Sequence, residues 1–297
     1  MYHVLSVLAG ILVAIMVAVN GELSSYSGVY SSTVVIHIVG LLFVLLPLAI
    51  RRERIFPLKR QPLYLYTGGA IGVTTVVFSN IAFGSISVSA IIALSLLGQS
   101  LTSLVYDRWG LCGMPKHEFR KMKLIGIAFV VLGIAAMLYG SEAQALIPIA
   151  VSLLMGVSTV VSRTVNALLA QRTSVLVSTL FNYVVGLAVS AVALLVAGMP
   201  EPMMQKFSLS PDVWIYTGGI IGVCVVAALN AAVCRISSFY MTLLLFAGQV
   251  FAGIAVDVVL AGSFSVNNLI GGLCITAGLA QNLWTDKKYG CVPCPAV

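Results

Sequence analysis

The sequence predicts an all-α integral membrane protein with ten transmembrane helices arranged as two inverted five-helix repeats (5+5). Composition gives the environment: 60% of residues are hydrophobic, 8% are charged and the mean hydropathy is +1.08, too little polar surface for a water-soluble globule. Duplication gives the repeat. Tyr66 to Asp107 recurs without a gap, 150 positions on, so that Gly68, Gly72, Asn80, Gly98, Gln99 and Asp107 fall on Gly218, Gly222, Asn230, Gly248, Gln249 and Asp257. Gly10, Asn20, Ser32 and Gly40 likewise fall on Gly156, Asn166, Ser178 and Gly186, and Gly126 and Gly133 on Gly271 and Gly278. A period near 145 residues is too long for a solenoid. Five spans per copy is an odd number, so the second copy enters the membrane from the opposite side.

A helix crosses a hydrocarbon core of about 30 Å with roughly 20 residues. Ten apolar runs meet that length, near 4–22, 30–50, 63–84, 87–106, 124–140, 145–168, 174–197, 213–234, 238–260 and 268–285. The first lacks a basic leader and runs straight into further spans, so it reads as a retained helix. Arg51, Arg52, Arg54, Lys59 and Arg60 follow span two, and Arg108, Lys116, Arg120, Lys121 and Lys123 follow span four. Such loops belong in the cytoplasm, which places both termini there in a multi-pass inner (plasma) membrane protein. The net charge of +7 therefore reports orientation and no nucleic-acid partner. The boundary between copies falls at 142/143, giving an N-terminal repeat 1–142 and an inverted repeat 143–297 with a short tail.

Gly68-x-x-x-Gly72 and Gly218-x-x-x-Gly222 open spans three and eight and read as helix-packing positions, since missing side chains let backbones approach. The turn-rich stretch Gly198 to Asp212 reads as an irregular external loop.

Gln99 and Gln249 stand mid-span, where an unpaired amide costs several kcal/mol, so each needs a partner or a wet cavity. Ser95 shares the Gln99 stripe at helical spacing, and Thr242 and Asp257 share that of Gln249. A substrate-facing role and a helix-bridging hydrogen bond both stay open. Asn20 and Asn166 close spans one and six, able to bind a solute or cap backbone. His37 and its counterpart Tyr183, next to Asn182, occupy spans two and seven; a histidine there can carry a coupling proton or share one structural hydrogen bond. Arg163 either snorkels from span six to headgroups or faces the cavity, where it favours an anion. Asp257 is a second coupling candidate, with a gate or a structural cap as its competing roles.

No phosphate-binding loop, nucleophile–base pattern, metal-ligand spacing or cofactor motif is present, which excludes nucleotide-driven pumping and points away from an enzyme. Cys291-x-x-Cys294 is one short pair on the tail, and the six cysteines give no disulfide framework.

The run from Tyr66 through Gly72, then Leu97-Gly98-Gln99, then Asp107-Arg-Trp-Gly110 and the Gly126 to Gly133 helix resembles the YdcZ-like family of the drug/metabolite transporter superfamily, in its fused ten-helix form. The second copy departs from the pattern at Asp257-Val-Val-Leu. The resemblance implies a gradient-driven transporter of small solutes. Together with the inverted repeats it leads to the expectation of a secondary-active transporter for a small polar or anionic metabolite, working by alternating access with a proton as coupled ion. The expected site is Gln99, Gln249, His37, Asn182, Tyr183, Arg163, Ser95, Asn20 and Asn166. A passive channel and a non-catalytic membrane partner protein are the alternatives, and a homodimer is left open.

Overall fold

A computed structural model describes residues 2–53, 61–109, 122–139, 146–198, 210–233, 238–262 and 264–288. Among them are ten α-helices: α1 (Tyr2–Ser27), α2 (Val29–Arg51), α3 (Gly68–Ala82), α4 (Val88–Trp109), α5 (Lys123–Met137), α6 (Leu146–Arg172), α7 (Val175–Ala197), α8 (Gly218–Val233), α9 (Ser238–Ala261) and α10 (Val266–Lys288). The order matches the ten apolar runs. Six helical segments, those of α1 to α4, α6 and α7, are long and apolar enough to cross a membrane; α5 and parts of α8 and α9 form shorter apolar helices.

The pattern predicts single helices over 63–84 and 213–234, and each is instead broken one turn in. A 3-10 turn, Leu63–Tyr66 in the first case and Val213–Thr217 in the second, precedes the α-helix. The cause is local and repeated: the Thr67 hydroxyl donates to the Tyr64 carbonyl at 2.7 Å and that of Thr217 to the Trp214 carbonyl at 2.6 Å, tightening both turns. Glycine then starts each helix. At the other end of the size range, α6 has 27 residues, about 40 Å of helix, and runs beyond the expected end at 168.

Helices of the first five pack mainly on helices of the last five. α1 lies along α8 and α9, α6 along α3 and α4, α2 along α7, and α5 along α10. Several crossings put backbone on backbone, and two of them flank the glutamines. A β-carbon on Gly10 would stand 2.2 Å from the Leu245 carbonyl oxygen, and one on Gly156 would stand 2.1 Å from that of Ser95. No residue with a side chain fits there without moving a helix. Leu245 is the counterpart of Ser95, just as Gly10 is of Gly156, so the same contact is made twice. Each crossing sits one turn before a glutamine, which fixes where Gln249 and Gln99 project. Around α4 the apolar core closes completely, with Ile91, Ala93 and Leu96 at 0% exposure.

Candidate functional site

Between these crossings lies a cavity of about 240 Å³, walled by α1, α2, α3, α4, α6, α7, α8 and α9. All nine residues named from the sequence as substrate-facing line it. Gln99 and Gln249 are 6% and 3% exposed, and the Gln99 amide donates to the Ser95 hydroxyl one turn back at 3.3 Å.

On α6 and α7, the Asn166 amide donates to Asn182 Oδ1 at 2.8 Å, and the Asn166 backbone carbonyl accepts from the Ser178 hydroxyl at 2.7 Å. The Ser162 hydroxyl donates across to the Gly68 carbonyl at 2.8 Å, tying α6 to the start of α3. Neither asparagine closes its helix: six residues of α6 follow Asn166 and seven of α1 follow Asn20.

The four packing glycines divide into two kinds. A β-carbon on Gly68 would stand 2.1 Å from Asn166 Oδ1 and one on Gly218 would stand 1.8 Å from Asn20 Oδ1, so these two seat the asparagines. Gly72 and Gly222 line the cavity, as Gly218 also does, without seating an asparagine; a β-carbon on Gly222 would stand 2.5 Å from the Tyr183 hydroxyl. Backbone meets backbone one residue later than the motif suggests, at Gly69 against the Asn182 carbonyl and Gly219 against that of Ile36.

His37 and Tyr183 are packed reciprocally. The His37 ring lies where a Gly186 β-carbon would be, the Tyr183 ring lies where a Gly40 β-carbon would be, and the rings are 5.8 Å apart. His37 Nδ1 stands 2.7 Å from the Thr33 carbonyl, which requires a proton on Nδ1 and leaves Nε2 as the free position of a neutral ring. The Tyr183 hydroxyl donates to the Gly219 carbonyl at 3.1 Å, bridging α7 to α8.

Arg163 is followed by nine residues of α6, so it is further from the helix end than the four residues that make snorkelling attractive. Exposed positions on α6 form two stripes: Ala150, Leu154 and Val157 on one side, and Arg163 and Ala167 on the cavity side, roughly 140° round the helix for the arginine. Arg163 is thus accessible while enclosed by protein, the state of a side chain facing an internal space. Among the described residues no carboxylate lines that space and Arg163 has no ion-pair partner.

Asp257 is elsewhere. It lines a second recess of about 530 Å³ with Glu22 and Asn268, at the start of α4. Its carboxylate accepts from the Val88 and Ser89 backbone N–H groups at 2.6 and 2.9 Å and from the Asn268 amide at 3.4 Å. Ser87 Oγ takes the Ala90 N–H at 3.2 Å and the Ser87 carbonyl takes that of Ile91, so the first four donors of α4 are all satisfied. That is the geometry of a helix cap supplied from a distant helix. Of the other sequence-stripe residues, the side chains of Asp107, Asn230 and Thr242, and the Cys291/Cys294 tail, lie outside the described residues.

The sequence reading missed Thr159 and Thr179, which also line the cavity; both follow helical spacing from named residues but their hydroxyls bond their own helix, at Met155 and Val175 carbonyls.

Comparison with known proteins gives a family and a fold. The family described as "Putative inner membrane exporter, YdcZ" matches the chain twice, over residues 1–136 and 147–281. No curated protein matches it. A solved structure carrying only the description "Crystal structure of protein" is similar at TM-score 0.65 and 14% identity, covering 96% of this chain and 97% of that one, a likeness of fold alone.

Proposed function

Because the chain belongs to the YdcZ family of inner-membrane transporters within the drug/metabolite transporter superfamily, we propose that it carries a small polar or anionic metabolite across the inner membrane by secondary-active alternating access. The observation that carries this reading is the central cavity: one space lined from both copies, with both glutamines in its wall and an arginine that has no ion-pair partner among the described residues. Ten membrane spans in inverted repeats 1–142 and 143–297 complete the proposal. Three features support it: the family matches twice, the close contacts run between copies, and Gly10/Leu245 and Gly156/Ser95 meet in the same way. In such an arrangement the halves can exchange conformations around a shared midplane site. The family description supports outward movement, and orientation with both termini in the cytoplasm follows from the basic loops. His37, a cavity-lining residue whose Nδ1 is engaged by the Thr33 carbonyl, is the proposed proton carrier; Asp257 is proposed as a cap.

The test is solute flux in proteoliposomes under an imposed proton gradient. Saturable flux that falls at least tenfold in Gln99→Ala and Gln249→Ala, with melting temperatures kept, is the expected result. Non-saturable flux or single-channel conductance would replace alternating access with a channel.

A further inference from the structure

We infer that the ligand of the central cavity is a small amphipathic monoanion, a carboxylate on an apolar body, held with its charged end at Arg163. The inference rests on the proposed reading of this cavity as the substrate site and names the class of substrate.

The cavity is lined by equivalent positions from two copies, yet the two sides are chemically different. Nine pairs of counterparts both face it; five are alike in polarity, Asn20/Asn166 and Gln99/Gln249 among them, and in the other four one residue is apolar and the other polar: Val13 with Thr159, Met16 with Ser162, Ile36 with Asn182, and Val225 with Thr75. The difference always has the same sense. The apolar members belong to α1, α2 and α8, and the polar members to α6, α7 and α3. Arg163 is on the polar side, and its counterpart Val17 is buried in the apolar core. Duplication began with a site of matched halves; in this one the α3, α6 and α7 side carries the added polar groups and the α1, α2 and α8 side the apolar ones, with Asn20 and His37 the polar side chains kept on the latter.

Each wall sets a requirement. Among the described residues Arg163 is the one Lys or Arg side chain in the lining and faces no carboxylate there, so the site balances one negative charge. A second anionic group would stay uncompensated in low dielectric. Thr75 Oγ1 is buried without a hydrogen-bond partner, and the Asn182 Oδ1 is already taken by Asn166, leaving its NH₂ to donate. Polar groups with spare capacity therefore accompany the guanidinium. Opposite them, Val13, Met16, Ile36 and Val225 offer nothing to a polar body and reward an apolar one. The volume, about 240 Å³, falls under the roughly 300–1,000 Å³ of drug-sized pockets and suits a single small metabolite.

The experiment is calorimetric titration of the full-length protein in detergent with four probes: 3-phenylpropionate, its neutral amide, propionate as head without body, and succinate as dianion. The expected result is 3-phenylpropionate binding about tenfold or more tighter than each of the others. Arg163→Gln should bring acid and amide within about twofold, Arg163→Lys should restore part of the preference, and Ile36→Asn should weaken 3-phenylpropionate several-fold while leaving succinate unchanged or improved. Acid and amide binding equally to the wild type would overturn the charge assignment without any variant having to fold. Succinate or propionate binding as tightly as 3-phenylpropionate would overturn the apolar wall. If none of the four binds but an amine or sugar shows saturable flux that Gln249→Ala abolishes, this inference fails and the transporter mechanism stands; absence of flux for every solute class removes both.

Discussion

Replacing Asp257 separates a structural cap from a proton carrier. In the wild type its carboxylate holds two backbone N–H groups at the start of α4 and the Asn268 amide, from a position 169 residues away from Val88. Asp257→Ala orphans both N–H groups, at about 1–3 kcal/mol each where they stay dry. The adjoining recess admits water, which takes the cost to the low end, and Ser87 continues to hold Ala90, so the expected loss is about 2 kcal/mol. For a chain of this size that is a fall of about 4–8 °C in melting temperature. Asp257→Asn keeps one acceptor and should lose about half as much. The assay is a thermal melt in detergent, run beside proteoliposome flux at several pH values. Expected are lowered melting temperatures with the pH dependence of flux retained. A variant that melts with the wild type but no longer responds to pH would refute the capping argument and make Asp257 the coupling group.

Three further outcomes follow from geometry. Gly156→Val places branched carbons against the Ser95 carbonyl and should cost about 3 kcal/mol or more through helix displacement, seen as loss of folded protein on size exclusion, whereas the same change at Gly198, where nothing lies within 4 Å but φ is +80°, should cost only its local backbone strain. Tyr183→Phe removes one neutral hydrogen bond to Gly219 and should lower stability by about 0.5–1.5 kcal/mol in chemical denaturation, with the ring packing on Gly40 retained. His37→Asn removes the free Nε2 site and should flatten the dependence of flux on pH; an unchanged profile would exclude His37 as proton carrier.

The helix order was legible because apolar runs of membrane length are hard to mistake, and the residues of the cavity because polar groups inside such runs must avoid lipid. Arg163 could be narrowed to two roles but not assigned, since its depth depends on where α6 stops, and α6 continues through polar residues to Arg172. The breaks before Gly68 and Gly218 were hidden: the threonines that tighten those turns are as apolar-compatible as helix residues. A structural cap was one of the roles open to Asp257, but its partners are backbone N–H groups at Val88 and Ser89, which leave no trace in side-chain pattern. Which helix lies on which was equally silent. Glycines recur at both copies of each contact, yet spacing alone does not say that Gly10 meets Leu245 or that Gly69 and not Gly68 touches backbone.

The single arginine between two walls that have diverged explains why joining the two copies in one polypeptide matters. Were the transporter an assembly of two identical five-helix chains, every substitution would arrive on both sides of the cavity at once. Position 163 would then bring either two guanidiniums facing each other with no carboxylate between them, or two valines and no anchor for charge. Covalent fusion lifts that restriction. Val17 and Arg163, Ile36 and Asn182, Val225 and Thr75 are independent choices in this gene, and a head-to-tail direction for the bound molecule becomes heritable.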